Sequence, residues 1–407
     1  MKKICILILW CLISGITHAQ RANYDEAKVG QYTLPDALLT HDGNKVVNRK
    51  MWEKVRRPEI MKLLADVEYG TLPDVPVKTA WKVLEESDDA MGGKAVRRQV
   101  QFTFSNNGVN RTMLLLVYMP KGKKKCPVFV SPNFHGNQST TEDLTVIKSQ
   151  YSKYERGEQK SRWAYEKILN AGYAVATFHY FDLFYDEEKH IQEGIMPVFG
   201  INTDADFKPH TGKSISAWAW GCSRALDYLL TLKNIDKKRC IVMGHSRLGK
   251  TALWAGAQDK RFAMVVSNNS GCCGAALSRR NFGETVPAIT KNFPRWFCNT
   301  YFTYANRVNE LPFDQHELLA MIAPRPLYVA SAEEDRWADP RGEFLSLKEA
   351  GKVYALYGLE TFADAQFPAV GEYVWHGNMG YHMRPGKHDV TDFDWKAYIR
   401  FANQKLY

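Results

Sequence analysis

The chain has 407 residues, of which 45% are hydrophobic and 24% charged, and its formal charge is +10. Fractions this close to the soluble globular average exclude disorder, a collagen-like fibre and a coiled coil. The length allows two or three domains of roughly 150 residues, or one large α/β unit with insertions.

Lys2 and Lys3 precede an almost wholly apolar run from Ile4 to Ile16, and Thr17-His18-Ala19 then offers small residues to a signal peptidase. The run is short for a bilayer span. Residues 1–19 therefore read as a signal peptide cleaved near Ala19, delivering the chain to the periplasm or the medium, with no membrane insertion. Cleavage removes two lysines and brings the charge from +10 to about +8. A moderately basic exported protein suits an acidic polysaccharide, with solubility alone as the plainer reason. Nothing resembles a nucleic-acid-binding signature. Six of the eight cysteines survive cleavage, which permits disulfides without requiring them, and no C-x-x-C zinc spacing occurs.

Residues 20–95 read as an N-terminal extension packed on the core, with an amphipathic stretch from Trp52 to Val67. Residues 96–407 read as the catalytic domain. Gln99 to Phe104 alternates apolar and polar residues, and Thr112 to Met119 follows across Asn106-Asn107-Gly108, a hairpin signal. From Cys126 onward, short apolar strands alternate with helices. Strands are expected at Pro127–Val130, Tyr173–Phe178, Cys240–Met243, Met264–Ser267 and Pro326–Ala330. Helices are expected at Trp163–Leu169 and Ser214–Leu232, from Arg247, and near Glu343–Ala350 and Trp395–Asn403. That alternation means a mostly parallel sheet covered on both faces, a three-layer αβα sandwich.

The chemistry concentrates in Cys240-Ile241-Val242-Met243-Gly244-His245-Ser246-Arg247-Leu248-Gly249-Lys250-Thr251, which is a buried strand, a tight turn and a helix start. Gly244 to Thr251 matches the phosphate-loop pattern G-x-x-x-x-G-K-[ST]. The same letters place Ser246 on a strand-to-helix turn, where an α/β-hydrolase carries its nucleophile. Context favours the nucleophile. An exported protein rarely meets ATP or GTP, and the next strand ends Ser267-Asn268-Asn269 rather than in the aspartate a magnesium nucleotide needs. The turn departs from G-x-S-x-G in having Leu248 two residues after the serine and Gly249 three after it.

A serine needs a base, and the base an orienting acid. In an α/β-hydrolase these follow in the order serine, acid, histidine, each at the carboxyl end of a strand. Ser331 to Pro340 is an acid-rich loop in the second place, with Asp335 the candidate and Glu334 and Asp339 its rivals. The segment Gly380 to Asp389 gives a strand and a loop carrying His388 before the last helix, which favours it over His376 and His382. His245 belongs to the turn and is badly placed to serve as base. Ser223, in the elbow-like Gly221-Cys222-Ser223-Arg224, falls inside an expected helix and is an ordinary helix residue.

Gly-His-Ser-Arg-Leu-Gly-Lys at 244–250 resembles the serine signature of the glucuronoyl esterases, carbohydrate esterase family 15. Arg56-Arg57-Pro58-Glu59-Ile60 with Tyr69-Gly70, Leu311 to His316, Ala323 to Pro326, and Trp337 to Pro340 resemble the bacterial members, and the similarity spans nearly all the mature chain. The resemblance implies a monomeric serine esterase of the α/β-hydrolase fold, without cofactor or metal. It would cut uronic-acid carboxyl esters in plant cell-wall polysaccharide, specifically 4-O-methyl-glucuronoyl esters of xylan. Ser246 would be the nucleophile and His388 the base, with Arg247 binding the oxyanion. Lys250 and Glu284 would hold sugar hydroxyls, and Trp337 would meet the sugar ring. Many members carry the acid on the strand after the elbow in Glu-Ser-Gly; here Asn269-Ser270-Gly271 stands there, which points to Asp335 as the acid. Methyl-esterified galacturonate of pectin, O-acetyl groups on xylan, and an inactive carbohydrate-binding homologue stay open as alternatives.

Overall fold

The computed structural model describes residues 22–185 and 190–407, so the stretch read as a signal peptide lies outside the described residues. The hairpin forms across its left-handed turn. Asn107 and Gly108 have φ of 46° and 80° and join β2 (Ala95–Asn106) to β3 (Val109–Pro120). Before it, β1 (Lys78–Asp89) pairs antiparallel with β2, so part of the stretch 20–95 forms the edge of the main sheet. The Trp52 to Val67 stretch is helical, running through Trp52–Arg56, Arg57–Leu63 and Leu64–Tyr69, with Trp52, Ile60 and Leu64 fully buried.

The remaining strands are β4 (Cys126–Val130), β5 (Ala174–Phe178), β6 (Ile235–His245), β7 (Phe262–Asn268), β8 (Leu327–Ala332), β9 (Tyr373–His376) and β10 (Met379–Arg384). They make a single ten-stranded sheet in the order β1-β2-β3-β5-β4-β6-β7-β8-β10-β9. Its centre, β5-β4-β6-β7-β8-β10, is parallel, and antiparallel strands lie at both edges.

The parallel strands are apolar on both faces because each face meets a helical layer. Along β6, Cys240 and Val242 point to one core while Ile241 and Met243 point to the other. The first core packs against α2 (Ser214–Leu229), α3 (Arg247–Gln258) and α4 (Pro340–Ala355) through Trp218, Leu253, Trp254 and Phe344. The second packs against α1 (Tyr165–Asn170) and α5 (Asp392–Leu406) through Ile168, Trp395, Tyr398 and Phe401. Each such side chain, fully buried, contributes about 1.5–3 kcal/mol. Two cores on one sheet make the αβα sandwich and put the carboxyl ends of β6, β7, β8 and β10 side by side. Among the described residues no helix is long and apolar enough to cross a membrane, and the six described cysteines are buried and free.

Candidate active site

Ser246 follows the last residue of β6 and caps α3, with φ 57° and ψ −129°. A side chain rarely tolerates that backbone, which costs about 1–3 kcal/mol and clusters at functional sites. The turn is held by the Ser246 N–H donating to the Asn268 carbonyl at 2.9 Å and the Gly249 N–H donating back to the Ser246 carbonyl at 2.8 Å. Gly244 is obligatory here. A Cβ at that position would lie 1.8 Å from the Leu248 carbonyl oxygen, because the helix start folds directly over the end of the strand. Gly249, three residues after the serine, faces the Gly244 carbonyl and the Asn268 carbonyl, each 3.2 Å from where its Cβ would stand. The irregular spacing of the sequence motif is thus a tight strand–helix crossing in its own right. Ser223 lies within α2, as its helical context implied.

Asp335 stands three residues beyond β8 and His388 four beyond β10. His388 Nδ1 and Asp335 Oδ2 are 2.5 Å apart, and the same oxygen accepts from Asn269 Nδ2 at 2.7 Å. Burial opposes ionisation of Asp335, but the hydrogen bonds from His388 and Asn269 outweigh it and hold the carboxyl below its ordinary range. A carboxylate anchored in this way favours the Nδ1–H tautomer of His388, which leaves the Nε2 lone pair able to accept a proton. The rivals are placed elsewhere. Glu334 is exposed, Asp339 caps α4 and pairs with Arg280 at 2.8 Å, His376 lies on the edge strand β9, and His382 is buried against Asp394.

His245 is buried behind His388, ring centroids 4.4 Å apart, and its Nδ1 donates to Asn268 Oδ1 at 2.6 Å. Burial, reinforced by repulsion from His388, drives its pKa well below the usual histidine value, so this ring stays neutral.

A cavity of about 370 Å³ brings the candidate residues together: Ser246, Arg247, Lys250, Glu284, Asp335, Trp337 and His388 all line it. Its size falls within the usual range for small-molecule sites, about 300–1,000 Å³. Lys250, on the first turn of α3, is almost fully buried, hydrogen-bonds the Ser270 carbonyl and lies 3.9 Å from Glu284. Burial raises the Glu284 pKa against the pull of Lys250. Gly283 allows a close backbone crossing, since a Cβ there would stand 2.4 Å from the Trp337 carbonyl. The Glu284 N–H donates to that carbonyl at 2.8 Å, setting Trp337 at the rim beside Glu284.

Among the lining residues that the sequence did not single out by role, Asn269, Phe293 and Trp296 matter most. Asn269 stood out only as a missing acid, and it is the donor that holds Asp335. Phe293 and Trp296 line the wall with rings stacked at 3.8 Å and 8°. Their only sequence signal is the aromatic cluster Phe293-Pro294-Arg295-Trp296-Phe297.

Comparison with known proteins agrees with this geometry. The chain is 40% identical to a carbohydrate esterase, MZ0003, from an unknown prokaryotic organism, over 100% of this chain and 99% of that protein. It belongs to the glucuronoyl esterase family. The glucuronoyl esterase structure from Solibacter usitatus matches with a TM-score of 0.88 at 41% identity, covering 94% of this chain and 100% of that one. A promiscuous family 15 esterase from a marine bacterial metagenome matches with a TM-score of 0.86 at 42% identity, over 94% and 100%. A family model described as glucuronyl esterase, fungi, matches residues 164–358. Members of this family are carboxylic ester hydrolases of the α/β-hydrolase fold, and the observed sheet order accords with that fold.

Proposed function

We propose that this glucuronoyl esterase hydrolyses esters formed through the carboxyl group of a uronic acid, specifically 4-O-methyl-glucuronoyl esters of plant cell-wall xylan, by a Ser246–His388–Asp335 triad. One observation carries the reading: an activated-serine turn, an Asp–His pair and two cationic side chains converge on one cavity.

Ser246 Oγ attacks the ester carbonyl carbon while His388 Nε2 takes its proton. Asp335 stabilises the imidazolium without accepting the proton. The carbonyl oxygen becomes an oxyanion facing the Arg247 N–H, which opens α3, and the guanidinium; a donor placed there is worth about 3 kcal/mol. Collapse breaks the bond to the alcohol oxygen, which leaves with the proton from His388. Water then attacks the acyl-enzyme, giving its proton to His388 and its oxygen to the carboxyl, and the second collapse releases the uronate and restores Ser246.

Lys250 and Glu284 sit where sugar hydroxyls can be held from the acyl side, and Trp337 offers an aromatic edge at the rim. A cationic wall suits an acyl group that leaves as an anion. Residues 1–19, with their leader pattern, support action after export, where an insoluble polymer is met. The test is hydrolysis of benzyl glucuronate, methyl-esterified galacturonate oligosaccharide and acetylated xylan side by side, with Ser246→Ala as control. Serine-dependent preference for benzyl glucuronate is expected. Preference for methyl galacturonate would move the substrate to pectin, and activity on acetyl esters alone would overturn the uronate reading.

A further inference from the structure

The Phe293–Trp296 stack follows the helix Val286–Asn292 and is pinned from behind by the start of α2. Ser214 N–H and Oγ donate to the Arg295 carbonyl at 3.0 and 2.6 Å, and Lys213 Nζ donates to the Pro294 carbonyl at 3.0 Å. Trp296 is buried and Phe293 half-buried. Against this fixed surface lies the guanidinium of Arg247. Its central carbon is 4.5 Å from the Trp296 ring centroid and 5.4 Å from that of Phe293, while Phe134 approaches from a third direction at 5.8 Å. The ammonium of Lys250 is 5.8 Å from the same indole. The Trp296 indole therefore meets both cations in the cavity, and Phe293 adds a second ring to the seat of Arg247.

An arginine side chain carries much rotamer entropy, and a guanidinium that had to find the oxyanion during reaction would lose it at that moment. Ring faces attract the cation through their quadrupole, most strongly when it is desolvated, and do so without occupying its N–H donors. Preorganised donors are what electrostatic catalysis requires.

We infer that Phe293 and Trp296 are positioning residues that act through Arg247, holding its guanidinium ready for the oxyanion. The inference rests on the oxyanion reading of Arg247 given above. A double-mutant cycle separates the two, with kcat on benzyl glucuronate as the readout and circular dichroism confirming the fold. Trp296→Leu and Phe293→Leu are each expected to lower kcat, by about tenfold for the tryptophan, and Trp296→Phe, which keeps a ring, to recover most of the loss. Arg247→Ala is expected to lower kcat about 100-fold or more. In the Arg247→Ala background either ring substitution should cost less than about twofold, since coupled residues are non-additive. Full additivity with a slow Arg247→Ala enzyme would overturn the seat and leave the oxyanion reading standing. An Arg247→Ala enzyme with unchanged kcat would overturn both. If Trp296→Leu does not fold, the cycle is decided by Phe293→Leu, whose ring reaches solvent in the cavity.

Discussion

Two His–Asp pairs lie close together in this molecule and do different work. His382, on β10, and His388, in the loop that follows, each face an aspartate, at 3.0 and 2.5 Å. His382 is fully buried. Its Nδ1 meets the Tyr328 hydroxyl at 3.0 Å, so both ring nitrogens are engaged inside the protein. Asp394 in turn forms an ion pair with Arg384, Nε and Oδ2 2.9 Å apart, and accepts from Asn268 Nδ2 at 3.0 Å and from the Thr391 N–H at 2.7 Å, where it completes the capping box of α5. This pair ties the last strand to the last helix. His388 is 41% exposed at its side chain, and Asp335 holds Nδ1 while the ring lines the cavity beside Ser246. What makes an Asp–His pair a base is therefore an accessible second nitrogen next to a nucleophile. The pairing alone does not make one.

Substitutions sharpen the contrast in descending order of effect. Ser246→Ala should lower turnover of benzyl glucuronate by about 10⁶-fold while circular dichroism stays unchanged. Asp335→Asn should lower kcat about 10⁴-fold through loss of tautomer control, with little change in thermal midpoint. Asp394→Asn inverts that pattern: denaturant unfolding should show a loss of about 3–5 kcal/mol, with kcat per folded molecule kept within a few-fold. If Asp394→Asn abolished turnover in a stable protein, the division of labour between the pairs would be wrong.

Glu343 gives a pH-dependent counterpart. It is fully buried beneath the cavity floor, accepting from the Ser270 and Gly271 N–H groups at 2.8 and 2.9 Å, and burial pushes its pKa up to about 8 from 4.5. The folded chain then keeps a proton that the unfolded chain releases, so stability falls as pH rises from 4.5 to about 8. Glu343→Gln should flatten that fall, by at most about 1.4 kcal/mol per pH unit, in denaturation curves taken at pH 5 and pH 8. At the small end, Glu334→Gln, at an exposed residue beside Asp335, should leave kcat within about twofold of the parent, as surface substitutions usually do.

Much of this was legible in the sequence because it is local. A strand, a glycine-bounded turn and a helix start identify Ser246, and chain order supplies Asp335 and His388. Asn269 was legible as a departure from Glu-Ser-Gly but not as a donor to Asp335, since that bond joins the ends of β7 and β8. The edge strand β1 was not read, because Lys78–Asp89 is mostly exposed and polar and lacks the apolar alternation of a half-buried strand. The sequence favoured His388 over His382 by its loop before the last helix, but the reason His382 serves otherwise, its pairing with Asp394, was not legible. That pairing depends on α5 bringing Asp394 under β10. The aromatic seat of Arg247 depends likewise on α2 holding a distant loop in place.

The central claim, that Ser246 is activated by His388 and Asp335, is tested most directly by mapping where diisopropyl fluorophosphate reacts and how fast. The expected result is a phosphorylated peptide carrying Ser246, formed at least about 100-fold more slowly in Asp335→Asn and at the parent rate in Asp394→Asn. Labelling of a different serine, or an Asp335→Asn protein that labels as fast as the parent, would contradict it.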